Sequence, residues 1–512
     1  MNLNQSSTST LSANPNPVAE QTLGEDAVAA TDNAGGVSCL PHDPPQAGLS
    51  AYDVFIQKYP TYEKTHAIDE LRDRDYARLD RTGQIYLDYT GGGLHADSQL
   101  RLHQKVLAEH VFGNPHSSNP TSLAATRLVE SARAAVLQFL NADPAEYTVI
   151  FTQNASGALK LVGESYPFEP DGRYLMTFDN HNSVNGIREF AYAKGSEVAY
   201  IPVCLPDMRV ESESLDAALN QADVDKNNLF AYPAQSNFSG VQHPLEWIER
   251  AHDKGWDVLL DVAAFVPSNP LDLGKYKADF VPISFYKIFG YPTGMGALVA
   301  RRKALEKLNR PWFAGGTITV ASVQGDRHYM AEAPAAFEDG TLDYLNMPAV
   351  EIGLKHIQSI GYETIHERVL TLTGWLLDNL SEMKHSTGAP LVRIYGPLTM
   401  VERGGSVAAN FFDKDGGPID HRFIEQQANK HNISLRTGCF CNPGAGEMAL
   451  GISKPELIAC FNHPDHGERL SLDHFRRCID GKSSGAVRVS VGLVTNFEDV
   501  QVFLKFAQGL LT

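Results

Sequence analysis

From residue 147 onward, short apolar runs alternate with longer, more polar stretches of helical rhythm. The runs fall at 147–152, 198–203, 229–232, 258–261, 280–284 and 296–300. Strand, turn and helix repeated in this way predict an α/β domain built on a mostly parallel sheet. Just before them, residues 121–140 set Leu128, Ala132, Ala135, Val136 and Phe139 at helical spacing, which predicts a helix with one buried face. Residues 51–81 read as charged helix, followed by a short strand signal at 84–89. Beyond about residue 346, a long helical stretch (349–380) leads to strands at 407–412 and 487–491, the pattern of a smaller α+β domain. Residues 1–48 are rich in Ser, Thr, Asn, Ala, Gly and Pro, too polar to offset the entropy of ordering. The expected division is a disordered tail at 1–48, then an N-terminal arm and part of the small domain at 49–115. A large domain follows at 116–345, and a small C-terminal domain carrying a cysteine loop at 346–512.

Composition narrows the function classes. The formal net charge of -18 argues against a nucleic-acid or anionic-membrane partner, although a local positive site can still hold a small anion. No run of 18 or more apolar residues is present, so no membrane span is expected. Residues 1–57 contain no Lys or Arg, unlike a secretory signal or a mitochondrial transit peptide. Six cysteines in 512 residues point to reduced thiols and a cytoplasmic setting, with Cys39 as a bystander.

The chemistry-bearing positions follow strands. After the run ending at Thr152 comes Gln153-Asn154-Ala155-Ser156-Gly157, where small residues and a helix N-terminus can cradle a phosphate. An ordinary N-cap by Asn154 or Ser156 is the competing reading. Asp261 closes an apolar run, where a carboxylate is costly unless it holds a cation or caps a turn. Lys287 lies between aromatic and aliphatic neighbours in Ile283-Ser284-Phe285-Tyr286-Lys287-Ile288-Phe289. Desolvation there would free its amine to form a Schiff base, whereas a snorkelling surface lysine would stay charged. Residues 435–446 (LRTGCFCNPGAG) put Cys439 and Cys441 near Arg436, a setting for a reactive thiolate or for two packed thiols. A metal site from Cys439, Cys441, Cys460, Cys478, His463 and His466 matches no usual ligand spacing, and no metal is expected. His181, after a strand-like YLMTF, is either a surface histidine or a flat ring able to stack on a flat cofactor. Arg488, inside an apolar strand, needs an anion: a substrate carboxylate or an internal partner.

Taken in order, these segments resemble the class V aminotransferase superfamily and its cysteine desulfurase branch. They most resemble the N-terminal, desulfurase-like domain of molybdenum cofactor sulfurases. The phrases YLDYTGGGLH, NPHSSNPTS, YTVIFTQNASGALKLV, FAYPAQSNFSG, LDLGKYKADFVPISFYKIFGYPTGMGALV, FEDGT and LRTGCFCNPGA carry the likeness, over about residues 84 to 505. It implies the type I fold of pyridoxal-phosphate-dependent transferases. It also implies that Lys287 holds pyridoxal phosphate covalently, Asp261 keeps the pyridine nitrogen protonated, His181 stacks on the ring and Asn237 binds the phenolic oxygen. Ala155, Ser156 and Ser284 would hold the phosphate, with Tyr286 where many desulfurases carry histidine. Gly316 and Thr317 would reach the phosphate of a second subunit in a homodimer. Arg488, with Arg436 nearby, would bind the substrate carboxylate, and Cys441, rather than its neighbour Cys439, would be the nucleophile.

The implied enzyme is a sulfurtransferase: L-cysteine becomes L-alanine, and a persulfide on Cys441 passes to an acceptor. Another class V lyase, epimerase or aminotransferase, or a non-catalytic binding relative, is the alternative. Molybdenum cofactor sulfurases of eukaryotes carry a further C-terminal domain that binds the metal cofactor. The 512 residues leave no room for it, so the acceptor stays open. The long interval between Cys441 and Arg488 reads as an excursion that is a lid, an acceptor-docking surface or a loop of no particular role.

Overall fold

The apolar runs of the sequence become strands of one seven-stranded sheet. A computed structural model describes residues 50–115, 117–463, 470, 475 and 485–512; the expected tail at 1–48 and the excursion residues His466 and Cys478 lie outside them. The strands are β2 (Tyr147–Thr152), β3 (Arg173–Thr177), β4 (Glu197–Ile201), β5 (Asn228–Pro233), β6 (Trp256–Asp261), β7 (Phe280–Ser284) and β8 (Gly296–Arg301). A two-residue strand, β1 (Ile85–Tyr86), precedes them. Across the sheet the order is β2-β8-β7-β6-β5-β3-β4. Strands β3 to β7 pair in parallel, and β8 runs antiparallel to both β7 and β2.

Side-chain alternation divides the sheet between two cores, as the two-residue period of a strand requires. Val149, Phe151, Leu175, Phe230, Tyr232, Val258 and Leu260 join one apolar cluster. Their neighbours Ile150, Tyr174, Met176, Leu229, Ala231 and Leu259 join the other. With both faces covered by protein, these strands read as nearly continuous apolar runs. The helix Pro120–Phe139 lays Val129, Ala132 and Val136 into the first cluster, beside Val350, Leu354 and Ile357 of the helix Met347–Ile360. Gly361, at a φ of 86°, separates that helix from Tyr362–Glu382, so the long helical stretch of the sequence is two helices.

A four-stranded antiparallel sheet is ordered β11-β12-β15-β14. Its strands are β11 (Val392–Tyr395), β12 (Ser406–Phe411), β14 (Arg436–Gly438) and β15 (Ala486–Ser490), while β13 (Ile433–Ser434) pairs in parallel with β1. The apolar cluster on this sheet draws Phe55, Tyr62 and Leu87 from the start of the described chain together with Val369, Leu376, Val489 and Phe503. A hairpin of β9 (Ile318–Ser322) and β10 (Arg327–Met330) follows Trp312 and Phe313. It leaves Val320, Val323 and Tyr329 exposed, as are those two aromatics. Residues Ser50–Thr512 form one compact unit. Among the described residues, no helix is long and apolar enough to cross a membrane.

Candidate active site

In a parallel sheet the carboxyl ends of the strands gather turn residues at one edge, and ligands bind there. Here β2 delivers Asn154, Ala155 and Ser156, β3 delivers His181, β5 delivers Gln235 and Asn237, β6 ends on Asp261, and β7 ends on Ser284 ahead of Tyr286 and Lys287. All of these residues line one cavity of about 290 Å³. The reversed strand β8 begins at the same edge. Gly296 is required there, since a Cβ would stand 2.5 Å from the Ile283 carbonyl oxygen and 2.6 Å from Asn154 backbone atoms.

Lys287 is the buried amine of this cavity. Burial pulls its pKa below the ordinary lysine value, opposed by the Asp261 carboxylate and by Cys441 and assisted by the Arg488 charge. The same desolvation lowers the pKa of His181. The His181 Nδ1 accepts from the Ser183 backbone N–H (3.1 Å), which assigns the ring proton to Nε2. Asp261 turns one oxygen, Oδ1, to the Ala263 N–H at 3.0 Å. The helix Ala155–Ser165 starts at the cavity wall, with Asn154 as its N-cap. The Ser284 hydroxyl accepts from the Ala155 N–H at 2.9 Å, and the Ser156 and Ser183 hydroxyls lie 2.7 Å apart. The N-cap reading and the phosphate-cradle reading are therefore compatible. Asn154 caps the helix from its own side chain while Ala155, Ser156 and Ser284 remain on the cavity lining.

This donor set fits pyridoxal phosphate. A buried amine of lowered pKa can condense with an aldehyde, and a carboxylate at a strand end can hold a ring N–H. Hydroxyls and a helix N-terminus can take the phosphate. Among the described residues, no group of three or more His, Cys, Asp or Glu side chains is disposed to hold a metal ion. Gly316 and Thr317 are not part of the cavity; the Thr317 hydroxyl donates to the Ala314 carbonyl oxygen at 2.9 Å.

The two expected substrate arginines share a carboxylate that the sequence reading did not single out. Asp88 accepts from Arg488 Nη2 at 2.9 Å and from Arg436 Nη2 at 2.6 Å. Arg488 Nη1 also donates to the Asn237 carbonyl oxygen (3.1 Å), and its guanidinium lies 4.8 Å from the Phe440 ring centroid. Burial lowers the Arg488 pKa, and Asp88 opposes that shift. The internal partner weighed for Arg488 is thus present. Asp88 follows the apolar Ile85-Tyr86-Leu87, the same strand-end signal that drew attention to Asp261.

The cysteine loop is fastened to this wall. Phe440 and Cys441 both have φ of 56°, and the Asn442 N–H closes on the Cys439 carbonyl oxygen at 2.9 Å, as in a type I′ turn. For non-glycine residues each such φ costs about 1–2 kcal/mol. Phe440 is buried against Phe238, while the cysteines on either side of it are exposed. Cys441 does not line the cavity, but its carbonyl oxygen accepts from the Asn182 N–H at 2.6 Å, one residue past His181. Asn442, fully buried, donates to the Asp179 carbonyl oxygen at 2.7 Å and to Asn237 Oδ1 at 2.9 Å. Sequence reading passed over Asn442, although an asparagine before Pro443-Gly444 is an N-cap signal for the helix Pro443–Leu450.

Comparison with known proteins agrees with this geometry. The aminotransferase class-V family profile matches residues 85–503. Molybdenum cofactor sulfurase of Bos taurus is 38% identical over 463 residues, covering 86% of this chain and 51% of that protein. The protein of the same name from Solanum lycopersicum is 37% identical over 496 residues, covering 90% of this chain and 60% of that protein. The chain thus spans about half to three fifths of these relatives' length. Among solved structures, an apo cysteine desulfurase from Thermococcus onnurineus NA1 superposes with a TM-score of 0.71 at 22% identity, over 86% of this chain and 98% of that one. The cystine C-S lyase C-DES, in complex with its product cysteine persulfide, gives 0.63 at 18% identity, over 84% and 98% of the two chains.

Proposed function

The chain belongs to the aminotransferase class-V family, and from that footing we propose that it is a pyridoxal-phosphate-dependent cysteine desulfurase-like enzyme of fold type I. The observation that carries the reading is the Lys287 amine, buried and of lowered pKa, lining one cavity with Asp261 and His181 while the Cys441 carbonyl is bonded beside His181.

Bound at Lys287, the cofactor would supply an electron sink that weakens bonds at the substrate's Cα and Cβ. Asp261 would hold a proton on the ring nitrogen. Lys287 would move a proton at the substrate Cα, for which its lowered pKa suits it. His181 would stack on the ring and offer its Nε2 proton. Asn237 would bind the phenolic oxygen, and Ala155, Ser156, Ser284 and Tyr286 would hold the phosphate. The Arg488 guanidinium would bind the substrate carboxylate, with Arg436 tied to it through Asp88. The Cys441 thiolate attacks the substrate sulfur: an S–S bond forms, the substrate C–S bond breaks, and Cβ takes a proton. L-Cysteine and the Cys441 thiol become L-alanine and a Cys441 persulfide, which passes to an acceptor.

Similarity to the molybdenum cofactor sulfurases supports the molybdenum cofactor as that acceptor. The exposed apolar residues Trp312, Phe313, Val320, Val323 and Tyr329 support a homodimer; the exposed Gly316, rather than the fully buried Thr317, would then reach the partner's phosphate. Among the described residues, thiols outside any disulfide at Cys204, Cys439 and Cys441 support a cytoplasmic setting.

The test is to incubate the purified protein with pyridoxal phosphate and L-cysteine and to measure alanine and sulfide. Wild type should release both, Lys287→Ala and Cys441→Ser should lose alanine formation, and Cys439→Ser should retain it. Full activity in Cys441→Ser would refute a persulfide at that position.

A further inference from the structure

The turn that carries Cys441 is strained, and the strain is held by contacts outside the turn. Phe440 and Cys441 both sit in the left-handed region with φ of 56°, a conformation that side chains with a Cβ avoid. The sequence places no glycine at either position. Something must keep the turn there.

Three sets of contacts do so. The buried Asn442 side chain reaches the Asp179 carbonyl oxygen (2.7 Å) and Asn237 Oδ1 (2.9 Å), and its own Oδ1 accepts from the Ala445 N–H at 3.2 Å. Asn237 in turn gives its amide N–H to the Phe440 carbonyl oxygen at 2.8 Å. The Asn182 backbone N–H holds the Cys441 carbonyl oxygen at 2.6 Å. Asp179 and Asn182 flank His181 on the turn after β3, and Asn237 follows β5. Apart from the Ala445 cap bond, each of these fastenings lands on a segment that also lines the cavity. Cys439, the other exposed thiol, has its carbonyl in the turn's own closing bond with Asn442.

We propose that Asn442 is a positioning residue that pins the strained 439–442 turn onto the wall of the cavity, and so presents Cys441 rather than Cys439 to the substrate sulfur. The proposal rests on the desulfurase reading. It goes further by naming the group that selects between the two thiols.

The experiment separates the pin from the helix cap that Asn442 also provides. Asn442→Ser keeps an N-cap oxygen for the helix Pro443–Leu450 but is too short to reach Asp179 or Asn237. A second variant breaks the other fastening. Asn182→Pro removes the N–H bonded to Cys441 at the first position of the helix Asn182–Asn185, where proline is tolerated. His181 before it, at φ -64° and ψ 150°, already has the conformation that a following proline favours.

Two readouts are taken, each on the full chain. Amide hydrogen exchange at Asn182 in the protein without cofactor should speed up at least tenfold in Asn442→Ser, with the amides of β5 and β6 unchanged. With cofactor and L-cysteine, both variants should lose kcat for alanine formation at least tenfold, with KM within twofold of wild type. Persulfide mapped by mass spectrometry should spread from Cys441 to Cys439. Unchanged exchange at Asn182 in Asn442→Ser overturns the pin. Faster exchange with wild-type kcat and persulfide confined to Cys441 overturns the positioning role. If wild type itself makes no alanine from cysteine, the desulfurase reading falls, and the exchange experiment still decides the pin.

Discussion

Removing the Asp88 carboxylate tests directly the electrostatics beside the cavity, where Arg488 bonds the Asn237 carbonyl. Asp88→Ala leaves two guanidinium groups without their shared anion, in very different surroundings. The Arg488 side chain is 3% exposed and the Arg436 side chain 52% exposed. Breaking a buried pair by deleting one partner costs about 3–5 kcal/mol, because the remaining charge is left desolvated. An exposed pair is worth about 0–1 kcal/mol. Asp88→Ala should therefore destabilise the cofactor-free protein by about 3–5 kcal/mol, almost all of it through Arg488. Arg436→Ala should cost no more than about 1 kcal/mol. Adding Arg488→Met to Asp88→Ala removes the stranded charge and should recover most of the loss. Urea unfolding of the four proteins, followed by tryptophan fluorescence, measures these differences. If Asp88→Ala costs no more than Arg436→Ala, or if the double variant is no more stable than Asp88→Ala, Asp88 is not what balances Arg488.

Stability should also depend on pH through histidines that are half-buried or buried. Burial lowers the pKa of His95, His181, His356 and His421 below the usual value of 6.5. The unfolded chain then binds more protons than the folded one below that pH, so stability is complete above it and is lost on acidification toward the lowered values. The urea midpoint should fall between pH 7.5 and pH 5.5, and an unchanged midpoint would contradict this account. Gly296→Ala should destabilise by at least about 1–3 kcal/mol, since its Cβ meets backbone on two sides; a neutral result in thermal unfolding would mean that β8 can shift away. Asp261→Asn should weaken retention of pyridoxal phosphate, seen as loss of the visible chromophore on gel filtration, and wild-type retention would remove Asp261 from the cofactor's ring nitrogen.

Much of this arrangement could be read from the chain because the parallel sheet makes its information local. A strand buried on both faces is an apolar run, and the residue that ends it stands at the ligand edge; Asp261 is legible on that ground and Lys287 by the apolar sequence around it, whereas Ser284 enters only through the family resemblance. The direction of β8 was not legible, because an apolar run looks the same read either way. Gly361 divides a helical stretch whose periodicity continues across it. The pairing of Asp88 with Arg488 joins residues 400 positions apart, and no local pattern announces it. Asn442 went unread, although an asparagine before Pro443-Gly444 signals the cap it provides; its second task depends on Asp179 and Asn237, delivered by other strands.

The apolar cluster under the four-stranded sheet unites Phe55, Tyr62 and Leu87 with side chains as late as Phe506. Arg72 reaches Asp499 across 427 residues in the same region. During synthesis at about 5–20 residues per second, the first of these groups would wait roughly 20–90 seconds for the last to leave the ribosome. Through that interval the nascent chain carries uncovered aromatic residues and a guanidinium paired with Asp80 alone, a burden for the chaperones that meet it. Loss of the final helix, Phe497–Gln508, would make that waiting state permanent.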